Sequence, residues 1–148
     1  MRSPLLAIDL GFAGAGLVVR ESNSGPEVCY CWLWAKWDDA KTAEQLRYVL
    51  ATWKPAAVCY EKPLFIPSRA KIGASQHHKA GFVKGLAALV GIPAVEVPRQ
   101  GPQEAALAAK LLRRSLDEQG VKMTEHVRDC AAIALCALGR AREGKEKV

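Results

Sequence analysis

A chain of 148 residues with 50% hydrophobic content is long enough to bury one core and too short for two sizeable ones, so residues 1–148 are expected to form a single domain. Charge breaks its apolar runs well short of the roughly 20 residues a membrane-spanning helix needs, and the start lacks the basic, apolar and small-residue order of a secretory leader, which points to a cytosolic protein. The five cysteines, Cys29, Cys31, Cys59, Cys130 and Cys136, lie in apolar stretches without Cys-x-x-Cys spacing. This speaks for small buried hydrophobes and against a disulfide framework or a zinc site.

The first expected elements are three strands, Leu5 to Asp9, Gly16 to Arg20 and Glu27 to Leu33. Turns at Gly11 to Ala15 and Ser22 to Pro26 join them into an antiparallel meander. Asp38 or Asp39 caps a helix running to about Trp53, with Ala43, Leu46, Val49, Leu50 and Trp53 on one face and Pro55 closing it. A fourth strand ends at Glu61. The loop Lys62 to Ala70, with Pro63 and Pro67, leads to a helix from about Lys71 to Val90, which Gly91-Ile92-Pro93 ends. Ala94 to Val97 is a short fifth strand, and two helices follow, from about Pro102 to Glu118 and from about Thr124 to Arg142. This order implies a mixed α/β sheet: three antiparallel strands, then parallel additions through helical crossovers.

Three polar positions stand out against that frame. Asp9 ends one apolar strand, Glu61 ends another, and His126 and Asp129 sit three apart on an apolar helix, hence on one face. If the strand ending at Glu61 pairs in parallel with the strand ending at Asp9, their C-terminal ends stand about 4.8 Å apart at the sheet edge where open α/β sheets form their sites. Carboxylates so close repel unless a divalent cation lies between them. A helix across that edge delivers Asp129 and His126 as further ligands, and hard oxygens with one imidazole suit Mg²⁺ or Mn²⁺, two ions of which serve phosphodiester hydrolysis.

Each position also has a plainer explanation. Asp9 before Gly11 suits a turn, Glu61 a surface salt bridge, and His126 and Asp129 the first turns of a helix that Thr124 caps.

The net charge of +6 is concentrated in residues 62–99, where Lys62, Arg69, Lys71, Lys79, Lys84 and Arg99 face only one acid, Glu96. A basic stretch beside a candidate metal site suits a polyanionic substrate, although a solvated face gives the same composition. His77 and His78 read as surface or groove-lining residues, with no carboxylate or Cys at metal-ligand spacing. Trp32, Trp34, Trp37 and Trp53 read as core or dimer packing.

Ile8-Asp9-Leu10-Gly11, the strand-end Glu61 followed by Phe65, Ala108-Ala109-Lys110, and His126-Val127-Arg128-Asp129 with its alanine-rich helix together resemble the RuvC Holliday-junction resolvases. These belong to the ribonuclease H-like superfamily, and the resemblance runs over nearly the whole chain. It implies a ribonuclease H-like five-stranded mixed sheet flanked by helices. It also implies a homodimer that binds a four-way DNA junction and cuts two strands symmetrically, in a bacterial or phage-infected cytoplasm, with Mg²⁺ or Mn²⁺ held by Asp9, Glu61, His126 and Asp129.

Phe65 then matches an aromatic that wedges against bases, although an aromatic among prolines also covers core edges. Lys110 matches a basic residue near the scissile phosphate, although it also suits a helix surface beside Arg113 and Arg114. Arg99 lies in the matching basic loop, and Arg69, Lys71, Lys79 and Lys84 fall in the basic segment expected to contact nucleic acid. The chain departs from many relatives in carrying histidine at position 126 and in shortening the loop after the fifth strand to Arg99-Gln100-Gly101-Pro102.

The rivals are a ribonuclease H-fold nuclease acting on other branched DNA or on RNA, and a catalytically silent junction-binding module. An actin-like or sugar-kinase ATPase shares the strand-turn-strand with glycines but needs a second domain that 148 residues cannot supply.

Overall fold

The computed structural model describes residues 4–63 and 70–146, with side chains described for 4–63 and 74–139. Five strands form one sheet: β1 (Leu5–Asp9), β2 (Gly14–Ser22), β3 (Gly25–Trp34), β4 (Ala57–Glu61) and β5 (Ala94–Val97). The helices are α1 (Asp39–Trp53), α2 (Ala70–Leu89), α3 (Pro102–Glu118) and α4 (Glu125–Glu146). The sheet order is β3-β2-β1-β4-β5. β1 to β3 are antiparallel, and β4 and β5 add in parallel. This is the mixed sheet expected from the element order.

Strand periodicity divides the core in two. Leu5 and Ala7 of β1, with Cys59 of β4, pack under α3 and α4. Leu6 and Ile8, with Val58 and Tyr60, pack under α1 and α2. Because successive side chains alternate across a strand, Asp9 and Glu61 continue the first series and fall on the α4 side. The parallel register runs from Leu5↔Ala57 to Ile8↔Tyr60, so these two acids sit level, one step beyond the last paired residues.

Two boundaries differ from expectation for packing reasons. Gly14 and Ala15 belong to β2 rather than to the turn, and Gly16 lies in the strand as expected. A Cβ on Gly16 would lie 2.1 Å from the Trp32 ring, and one on Gly14 would lie 2.4 Å from that of Trp34. The glycines leave room for indoles lying across the strand, which local composition does not distinguish from turn chemistry. The β2–β3 hairpin is also tighter than expected. Ser22 pairs with Gly25 and Glu21 with Pro26, and the proline is tolerated because β3 is the sheet's edge, where a missing N–H need not be replaced.

Candidate functional site

At the C-terminal ends of β1 and β4 a polar cleft of about 100 Å³ is lined by Asp9, Glu61, Lys62, Gln76, Arg99 and Asp129, with Leu10, Pro63 and Ile133. Each side chain arrives there for a local reason. α4 begins where Thr124 Oγ1 accepts the Val127 N–H at 3.2 Å, as an N-cap does. Val127, Cys130, Ala131 and Ala134 then bury against the sheet. The Cys130 thiol donates to the Ala7 carbonyl at 3.0 Å. With that face of the helix fixed inward, His126 and Asp129 are held over the strand ends.

His126 Nδ1 lies 3.0 Å from Asp9 Oδ2, joining positions 117 apart in the chain. Glu61 is fixed from the other side, because the Gln100 backbone N–H donates to Glu61 Oε2 at 3.0 Å. The short loop after β5 therefore does two things: its amide orients a carboxylate, and it sets Arg99 on the cleft wall.

The electrostatics follow from placing three acids together. Burial pushes the Asp9 carboxyl up to about 6; the hydrogen bond and charge of His126 oppose this, while Asp129 and Glu61 add to it. Burial likewise raises Asp129, with Glu125 adding and His126, Arg128 and Arg99 opposing. Among the described residues no three His, Cys, Asp or Glu side chains are gathered into a ready metal-binding group. The donor set nonetheless has the chemistry for a hard divalent cation: three carboxylates line the cleft, the His126 imidazole stands on one of them, and burial pushes Asp9 towards its protonated form.

Of the basic residues expected to meet nucleic acid, Arg99 lines the cleft. Lys79 is buried on α2 and lies near enough to Asp9 to feel its charge. Lys84 on α2 and Lys110 on α3 are exposed and outside the cleft lining. Phe65 and Arg69 lie outside the described residues, as does the side chain of Lys71 at the start of α2.

Gln76 is a lining residue that sequence reasoning did not single out. Its only signal was its place in the basic segment. His78, read as a surface or groove residue, has a carboxylate partner after all: its Nε2 lies 3.2 Å from Asp39 Oδ2 across 39 positions. Sequence spacing cannot reveal such a pair. The four tryptophans pack beside the α1/α2 core, as the core-packing alternative anticipated.

The architecture is a ribonuclease H-like fold, with the strand-end acids on the sheet face that α4 covers. It is the fold of solved RuvC structures. Thermus thermophilus RuvC in complex with a Holliday junction substrate superposes with a TM-score of 0.75 at 19% identity, over 97% of each chain. A second Thermus thermophilus RuvC structure gives 0.72 at 20% identity, over 95% of this chain and 96% of that one. The fowlpox virus resolvase with Holliday junction DNA gives 0.58 at 13% identity, over 88% of this chain and 95% of that one. No protein-family model and no curated protein matches the sequence. Among the described residues no helix is long and apolar enough to cross a membrane.

Proposed function

We propose that this chain is a structure-selective endonuclease that resolves four-way DNA junctions by metal-dependent phosphodiester hydrolysis. The observation that carries the reading is the arrangement of Asp9 and Glu61 abreast at parallel strand ends, with His126 on Asp9 at 3.0 Å. It lies on a fold whose Thermus and fowlpox examples were solved with Holliday junctions.

In this reading residues 1–148 are one nuclease domain, acting in a bacterial or phage-infected cytoplasm. The protein works as a homodimer, because a four-way junction offers two equivalent strands and a twofold pair of sites meets both.

Mg²⁺ or Mn²⁺, two ions per site, would be held by Asp9, Glu61, His126 and Asp129, and would supply an activated water and neutralise charge on the leaving oxygen. The chain's own groups do the rest. Gln100 orients the Glu61 carboxylate, His126 orients that of Asp9, and Arg99 gives a phosphate its counter-charge at the cleft wall.

Cleavage of four-way, flap and linear DNA, and of an RNA–DNA hybrid, in Mg²⁺ and Mn²⁺ tests this. Paired symmetric cuts in the junction are expected, with loss of cutting in Asp129→Asn. Preferential cutting of flaps or RNA would place the chain with other nucleases of the fold. Tight junction binding without cutting in any metal would make it a binding module.

A further inference from the structure

Phe12 is 64% exposed, in the turn between β1 and β2, three residues beyond Asp9. A single exposed aromatic is ordinary on a protein surface. This one differs in its support. The Gly11 carbonyl accepts the Trp34 indole N–H at 3.2 Å, and the Phe12 carbonyl accepts the Trp37 backbone N–H at 2.6 Å. The turn that carries the ring is thus tied on both sides to a tryptophan-bearing segment, and ordering it on binding costs little.

The same tie leads to a cation. Trp37 meets Phe82 of α2 edge-on with ring centroids 6.0 Å apart, and Lys79 Nζ stands 5.7 Å from the centroid of the Trp37 ring. Lys79 is only 7% exposed. Among the described residues it has no carboxylate within ion-pair distance. A lysine so enclosed normally has an anionic partner; here it has an indole face and the nearby charge of Asp9. A fixed exposed ring and a seated, unpaired cation next to strand-end acids have the two chemistries that bind single-stranded nucleic acid: a face for a base and a charge for its phosphate.

We propose that the β1–β2 turn and the turn of α2 that carries Lys79 form a nucleotide subsite, in which Phe12 stacks on a DNA base unpaired beside the scissile phosphate and Lys79, held over Trp37, contacts a backbone phosphate of the same strand. The proposal rests on the nuclease reading above and places a base contact at a position outside the Phe65 segment.

The test is equilibrium binding in Ca²⁺ to four-way junctions carrying 2-aminopurine next to the cut site, and to matched duplex, for the intact protein and four variants. Phe12→Ala should weaken junction binding about tenfold or more and abolish the stacking quench of the fluorophore, while duplex affinity moves less than about twofold. Phe12→Trp should restore both. Lys79→Met should lower the slope of log affinity against log salt by about one on all DNA, and Lys79→Arg should keep it. A junction preference in the intact protein that survives Phe12→Ala with quenching unchanged overturns the stacking subsite alone. An unaltered slope in Lys79→Met removes Lys79 from it. An intact protein without junction preference overturns the nuclease reading and the subsite together.

Discussion

The two ends of the sheet carry opposite clefts. Beyond the C-terminal ends of β1 and β4 lies the polar one, about 100 Å³ and lined by three acids and Arg99. At the other end, where α1 and α2 finish before β4 and β5 begin, lies an apolar cleft of about 590 Å³ lined by Leu50, Ala51, Pro55, Leu86, Leu89, Val90 and Ile92, with Arg47 and Lys54. The larger cavity is lined by two cations and, among the described residues, no acid, whereas the smaller holds a carboxyl displaced to about 6. Volume and charge therefore point to different ends. The polar end gives up stability to concentrate charge; the apolar end contributes stability and concentrates none.

Substitutions should separate the two ends, and the largest effect is on catalysis. Asp9→Asn, Glu61→Gln and Asp129→Asn should each lower cleavage on the order of a hundredfold or more while leaving junction affinity within a few fold, because affinity comes mainly from phosphate contacts. Single-turnover rates beside gel-shift titrations measure both, and full cutting by Asp129→Asn would remove α4 from the site. At the opposite end, Leu50→Ala, a truncation of a 5% exposed side chain, should cost roughly 2 to 5 kcal/mol of stability. It should leave the metal dependence of cutting unchanged, as urea unfolding beside a metal titration would show.

A smaller effect has the opposite sign. The Asp9 carboxyl lies at about 6 in the folded chain against its ordinary 3.8, so between those values the folded state holds more proton than the unfolded one. The contribution of Asp9 to stability is therefore greatest below about pH 4 and falls as pH rises through 6. Without metal, Asp9→Asn should be more stable than the wild type at pH 7.5 by roughly 1 to 2 kcal/mol, and the gap should narrow as pH falls through 6 and close below about pH 4. A gap independent of pH would mean that burying the charge of Asp9 does not strain the site.

The smallest effect concerns His126. An imidazole is a softer ligand than a carboxylate. His126→Asp should keep cutting and reduce any preference for Mn²⁺ over Mg²⁺, read from cleavage rates in each metal. An unchanged metal preference would leave His126 as a partner of Asp9 only.

Much of this contrast was legible in the chain. Apolar runs ending in Asp9 and Glu61 told where two strands stop, and Thr124 told where α4 starts, because alternation and capping are local properties. Glycine was ambiguous: Gly14 has turn-like composition but serves β2, since what it accommodates is the ring of Trp34 from another strand. The basic segment was visible as composition, yet its members go separate ways. Arg99 lines the cleft, Lys79 is packed over Trp37, and Lys84 is exposed away from the cleft lining.

The sequence by itself determined the order of strands and helices, the strand-end positions of two acids and the helical pairing of His126 with Asp129, because each depends on periods of two or about four residues along one segment. Only the tertiary structure decided that β4 lies beside β1 in level register, that α4 covers the side to which both acids turn, and that His126 meets Asp9. It also decided that Gln100 holds Glu61 and that Asp39 pairs with His78. These are contacts between segments tens of residues apart, set by which faces pack together, and the shift of Asp9 to about 6 exists only once that packing has removed water and gathered the charges.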